Sequence, residues 1–205
     1  MTTETAKDTR PTAVIVTGPE RSGTRLITRL LIGMGFDGDD TADGKPENEG
    51  WPQKWDAVDP TDGQDVVHRI SLPYHPNREW PALASIAARW ARIGYRVLVL
   101  VASRDPRAVV ASQLANKYVC DALTGWTEIQ QACDLINETT RLPVVADAAT
   151  VSYRALVSAP AKAIRAIARF VGRKPPKDHE PIVDGDAKYN LPPEGKEHVA
   201  PIETE

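Results

Sequence analysis

Cysteine, methionine and phenylalanine are each present only twice in 205 residues. Cys120 and Cys133 are too few for a disulfide framework and do not have the spacing of metal ligands, so they read as packed or idle thiols. No stretch approaches the roughly 18 consecutive apolar residues of a bilayer-spanning helix. The first twelve residues are polar and hold no hydrophobic signal region, so a cytoplasmic, reducing location is expected. The net charge is only −3, which argues against a broad nucleic-acid footprint. No internal repeat is visible, and the length suits a single core and a single domain.

What is present is an uneven charge pattern. Residues 37–65 hold ten acidic side chains against Lys45 and Lys54. Residues 66–119 hold eight Arg and Lys against Glu79 and Asp105, and residues 151–177 hold seven against none. Anions are drawn to the middle and late segments.

Apolar runs alternate with amphipathic stretches. Ala13–Thr17 reads as a buried strand, followed by a helix with Leu26, Ile27, Leu30, Leu31 and Met34 along one stripe. Asp65–Ile70, Arg96–Ala102 and Ala149–Tyr153 read as further strands, and Arg96–Ala102 has the uninterrupted apolar run of a sheet centre. Helices are expected around Leu83–Trp90, from Pro106 through Leu114, around Trp126–Ile136, and over Ala161–Val171. This alternation predicts an α/β fold: a single-domain, three-layer sandwich with a central parallel sheet, spanning residues 13–172. Residues 1–12 read as a disordered lead-in, 37–63 as an acidic loop or lid carrying Trp51 and Trp55, and 173–205 as a Pro-rich acidic tail, extended and poorly packed.

In such a fold ligands gather beyond the C-terminal ends of the strands. Three of these ends carry polar residues: Gly18–Arg25, His68, and Arg104. Gly18 and Gly23 bracket a loop with the Gly-x4-Gly spacing of a phosphate-binding P-loop, placed between a strand and a helix N-terminus. Thr24 stands where an ATP-binding loop places Lys.

Gly18-Pro-Glu-Arg-Ser-Gly-Thr-Arg25, followed by Ser103-Arg-Asp-Pro-Arg-Ala-Val-Val-Ala-Ser112, resembles the sulfotransferases that use 3′-phosphoadenosine 5′-phosphosulfate (PAPS). Val151-Ser-Tyr-Arg-Ala-Leu156 with Phe170-Val-Gly172 is similar to that family's closing motif, although Arg154 stands where the family has Glu. The family's late Arg-Lys-Gly segment has no counterpart, since Pro175 follows Arg173-Lys174. The short chain resembles bacterial or phage members.

The resemblance implies a sulfonate transfer from PAPS to a hydroxyl or amine acceptor, leaving adenosine 3′,5′-bisphosphate (PAP). Arg21, Ser22, Gly23, Thr24 and Arg25 are then the phosphosulfate cradle, and Arg21 also neutralises charge on the transferred group. Arg104 and Ser112 hold the 3′-phosphate, with Tyr153 nearby. His68 is the candidate base, because His68-Arg-Ile-Ser-Leu-Pro73 resembles the Lys-Thr-His-Leu-Pro segment of the cytosolic members; His75 competes for that role. No metal site is expected, as no Cys/His cluster accompanies His68 and His75. The acceptor is expected to be a small molecule or carbohydrate, with Trp51, Trp55, Tyr74 and Trp80 as either a binding wall or packing. Two other readings stand beside this one: a P-loop nucleotide or small-molecule kinase, and a non-catalytic binding protein of the same fold.

Overall fold

The computed structural model describes residues 9–38, 63–74, 78–179 and 181–189. Trp51, Trp55, His75 and most of the expected 37–63 loop lie outside the described residues, as do 1–8 and 190–205.

Four parallel strands form the sheet: β1 (Thr12–Pro19), β2 (Val66–Leu72), β3 (Arg96–Ser103) and β4 (Val145–Ser152), in the order β2-β1-β3-β4. The expected α/β architecture is the observed one. The last strand begins four residues before its expected start at Ala149, and Tyr153 opens a helix instead of closing the strand. Polar and small residues (Ala146 to Thr150) give that edge strand a weak apolar signal, and its first half is largely exposed.

The helices are α1 (Thr24–Gly33), α2 (Leu83–Arg92), α3 (Pro106–Ala115), α4 (Ala122–Thr140), α5 (Tyr153–Ser158) and α6 (Pro160–Phe170). Asp105 caps α3 by accepting from the Arg107 N–H, with Pro106 at the first helical position, where a missing N–H costs nothing. Asp121 caps α4 through the Thr124 N–H at 2.8 Å.

Strand side chains alternate between two cores, as a period of two requires. Val14, Val16, Leu98 and Leu100 meet Ile27, Leu30 and Leu31 of α1 and Ile164 and Ile167 of α6 on one face. Ala13, Ile15, Val97 and Val99 meet Leu83, Ile86 and Trp90 of α2 and Ala132 and Ile136 of α4 on the other. The helical spacing expected for α4 holds, but its buried stripe is Gly125, Glu128, Ala132, Ile136 and Thr139, whereas Trp126 and Cys133 are exposed. Cys120 is exposed too, so neither thiol is packed. Trp80 lies against the second core.

The chain leaves β1 toward β2 on one side, and β3 lies on the other. The order of strands therefore reverses between β1 and β3, the position at which ligands gather in open α/β sheets.

Candidate anion site at the C-terminal edge of the sheet

The loop after β1 is shaped by two glycines. A Cβ on Gly18 would lie 2.7 Å from the Ala102 carbonyl oxygen of β3, a backbone atom that cannot yield. Gly23 has φ 103°, conformational space that disfavours other residues, and serves as the N-cap of α1. Between them Arg21 also takes a left-handed backbone, φ 76°, an unfavourable state for a side-chain-bearing residue that needs support from its surroundings.

Hydrogen bonds supply that support. The Glu20 N–H donates to Leu72 O at 2.8 Å, tying the loop to the end of β2. Gln113 Nε2 of α3 donates to the Glu20 carbonyl at 3.2 Å. Arg104, just past β3, donates from Nη1 to the Arg21 carbonyl at 2.7 Å. Arg21 in turn donates from Nε to Ser112 Oγ at 3.0 Å and sets its guanidinium 5.6 Å from the centre of the Tyr118 ring. The two sequence motifs, more than 80 residues apart, thus interlock at one edge of the sheet.

The remaining loop residues fall as follows. Thr24 is buried, and its Oγ1 shares a 2.9 Å hydrogen bond with Ser71 Oγ. Ser22 Oγ is buried with no hydrogen-bond partner among the described residues. Leaving such a group unmade costs on the order of 1–3 kcal/mol, which marks an interior polar atom able to take a partner. Arg25 is exposed on the first turn of α1. Ser112 is buried, and Tyr153 faces Gly23 across 3.2 Å, measured from a Cβ built on that glycine.

Arg104 is closely enclosed, with its side chain 9% exposed. Its guanidinium lies 4.8 Å from the Tyr153 ring centre and 5.9 Å from that of Tyr189. Its Nε donates to Asp186 Oδ1 at 2.7 Å, and Nη2 pairs with the same carboxylate oxygen. Burial opposes ionisation of Tyr189, but contacts with Ser112 and Lys188 and the Arg104 charge outweigh it and hold the phenol below its usual range.

His68 is not brought to this edge. It is the third of seven residues in β2 and is level with Ile15, whereas Ser71 is the residue level with Gly18. The expectation of a histidine at the strand end is therefore corrected: three residues of strand, about 10 Å, separate it from the loop. Its ring packs on Trp90 with centroids 4.8 Å apart, on the α2 face of the sheet. Burial pushes its pKa below 6.5, partly offset by the Asp37 carboxylate.

Glu20, Ser71, Tyr118, Asp186 and Tyr189 complete the site and were not singled out from the sequence. Ser71 lay within the quoted His68–Pro73 segment, and a strict alternation along β2 would have placed it on the α1 face. Asp186 and Tyr189 fall in a stretch expected to be poorly packed. Residues 181–189, none of them fully buried, return to the edge of the sheet, where Asp186 and Tyr189 lie against Arg104. A cleft of about 10 Å³, room for about one water, is lined by Glu20, Pro73, Arg78, Gln113, Tyr118 and Glu128. Tyr118 and Arg78 also wall a hollow of roughly 570 Å³ with Leu114, Lys117 and Thr124. Tyr74, near the same cleft, has its phenol pushed up to about 12 by burial, with Glu20 and Glu79 adding to the effect and Arg69 opposing it.

No protein-family model and no curated protein matches the sequence. Among solved structures, retinol dehydratase in a complex with retinol and PAP is similar with a TM-score of 0.45 at 17% identity, over 84% of this chain and 63% of that one. The sulfotransferase domain from the curacin biosynthetic pathway is similar with a TM-score of 0.44 at 16% identity, over 84% of this chain and 76% of that one. The sulfotransferase domain from the Synechococcus PCC 7002 olefin synthase has a TM-score of 0.51 at 14% identity, covering 86% of this chain and 80% of its own. On that last likeness, with the β2-β1-β3-β4 parallel sheet and its flanking helices, the chain has the fold of a sulfotransferase domain.

Proposed function

We propose that the protein is a PAPS-dependent sulfotransferase acting on a small hydroxyl- or amine-bearing acceptor. The observation that carries this reading is the interlocked pair Arg104 Nη1 to Arg21 O and Arg21 Nε to Ser112 Oγ, which joins the glycine loop to the Arg104 segment. A loop alone accommodates many anions. A loop coupled to a second, separately positioned arginine fork suits a ligand with two anionic groups a few ångströms apart.

The residues fit such a ligand. The Arg104 fork already takes an oxyanion, the Asp186 carboxylate, through Nε and Nη2. Ser22 carries an unsatisfied buried hydroxyl inside the loop. PAPS would supply the activated sulfonate, with PAP as the leaving product. Arg104 and Ser112 hold the 3′-phosphate, and Tyr153 stacks on the Arg104 guanidinium and fixes its plane. Ser22, Gly23 and Thr24 present the first turn of α1 to the 5′ group, where the helix dipole favours negative charge. Arg25, exposed on the same turn, adds positive charge at the mouth. Arg21 neutralises charge that develops during in-line transfer, a role that preorganised cations fill without reorganisation.

The acceptor is assigned to the hollow walled by Tyr118, Lys117 and Leu114, which adjoins Arg21 through the Tyr118 ring. Glu20, a lining residue of the neighbouring cleft, is assigned the acceptor proton in the role first expected of His68. His68 is assigned to packing.

Thermal unfolding with millimolar PAP tests this reading: PAP is expected to raise Tm, and radiolabelled PAPS to donate to members of a hydroxyl and amine panel. No rise in Tm with PAP, together with a rise given by Mg·ATP, would replace the reading with a nucleotide kinase. PAP binding without transfer to any acceptor would leave a binding protein.

A further inference from the structure

Residues 183–189 occupy the site that the proposed function assigns to the 3′-phosphate. Asp186 pairs with two nitrogens of Arg104. Tyr153 Oη accepts from the Gly185 N–H at 2.7 Å and donates to Val183 O at 3.2 Å. The Tyr189 ring centre lies 5.9 Å from the Arg104 guanidinium, and its hydroxyl is buried near Ser112 without a well-formed hydrogen bond. Three residues from three elements, at the ends of β3 and β4 and within α3, are thus covered by one short piece of chain. Ile182 anchors it by packing against the core on the α1 and α6 face. The Asp186 N–H donates to Asp184 Oδ1 at 2.8 Å, a local turn that presents the Asp186 carboxylate to Arg104.

A carboxylate on a planar guanidinium imitates a phosphate in charge sign and donor set, but with about half to two-thirds of the charge. Both anions need the same Nε and Nη2 donors of a side chain that is 9% exposed. The geometry points to an internal plug: residues 183–189 close the anion site with Asp186, and a phosphate monoester or diphosphate ligand must displace that carboxylate to bind. The inference rests on the proposed function for the identity of the natural ligand, and on the Arg104–Asp186 pair alone for the existence of the plug.

Displacement lowers apparent affinity by the fraction of time the site is open. A plug closed nine-tenths of the time weakens binding about tenfold. Asp186→Asn keeps the size of the side chain and removes its charge, so the open fraction rises. PAP and inorganic pyrophosphate are both expected to bind this variant about tenfold more tightly than the natural protein, and Asp186→Asn combined with Arg104→Ala is expected to lose the gain.

Calorimetry with both probes on the full chain separates the outcomes. Gains for pyrophosphate with no PAP binding to any variant would support the plug and sink the nucleotide reading. Binding of both probes that is unchanged or weaker in Asp186→Asn would overturn the plug, with Asp186 then a positioning residue for Arg104. Hydrogen exchange on the natural protein gives a second, variant-free measure. Saturating pyrophosphate or PAP is expected to speed exchange of the 183–189 amides, and slower exchange there would overturn the displacement.

Discussion

Replacing Arg104 by Ala removes three donors at once, and the structure separates their effects on stability from their effects on binding. Nη1 holds the Arg21 carbonyl, and Arg21 is in a left-handed conformation that needs holding. A hydrogen bond from a charged donor contributes about 1.5–3 kcal/mol. The pair with Asp186 adds little to that, because Asp186 is 27% exposed and its carboxylate can turn to water when Arg104 is gone. A part-buried pair whose carboxylate can rehydrate contributes about 1 kcal/mol. Urea unfolding of Arg104→Ala should therefore show a loss near 2 kcal/mol with an unchanged m-value. The effect on PAP is larger. Truncating one partner of a buried, hydrogen-bonded charge pair costs about 2–5 kcal/mol, which is about 30-fold to several thousand-fold in Kd. Arg104→Lys should recover the charge without the fork, and so only part of the affinity. Calorimetric titration with PAP at two salt concentrations reads both effects. An Arg104→Ala protein that is folded and binds PAP within threefold of the natural chain would refute the assignment of this residue to the phosphate.

Three further outcomes follow from the same geometry. Gly18→Ala should lose about 1–3 kcal/mol in urea, the usual cost of overpacking, because the new Cβ meets the Ala102 carbonyl at 2.7 Å; a loss below about 0.5 kcal/mol would mean that β1 and β3 part easily. The His68 pKa is lowered from 6.5 on folding, so the unfolded chain binds more protons just below that value. Stability then falls as pH drops below about 6.5, and His68→Gln should flatten that limb while leaving kcat within twofold; a hundredfold loss of kcat would restore His68 as the base. Tyr74 has the opposite sense: its pKa rises from 10.0 to about 12, so stability is full below pH 10 and declines above it. Tyr74→Phe should flatten the alkaline limb in a pH series of denaturation curves, and an unchanged slope would show that the phenol is not desolvated.

The fold was legible because its signals are local. The two inner strands, β1 and β3, are short apolar runs, and the long helices carry stripes, so composition along the chain already separates layers and connections. The weak spot was the first half of β4, where Ala146, Asp147 and Ala148 carry no strand signal and pairing of Asp147 and Ala148 with Leu98 and Val99 does the work instead. α3 shows the same effect inside a helix: Ser112 and Gln113 are buried because they face the loop, while apolar Leu114 is 37% exposed.

The site divides along the same line. The sequence by itself determined the glycine spacing, the absence of a Walker Lys, and the Arg104–Ser112 interval, since these depend on residues a few positions apart on one strand-loop-helix unit. Only the tertiary structure decided which strand residue lies level with Gly18, because register is set by pairing between β1 and β2; it selects Ser71 and leaves His68 on the opposite face. It alone also decided that Asp186, 82 residues from Arg104, closes the anion site. Nothing in the composition of residues 173–189 announces that contact. It arises because a buried guanidinium needs an oxyanion, and the returning chain brings one within reach.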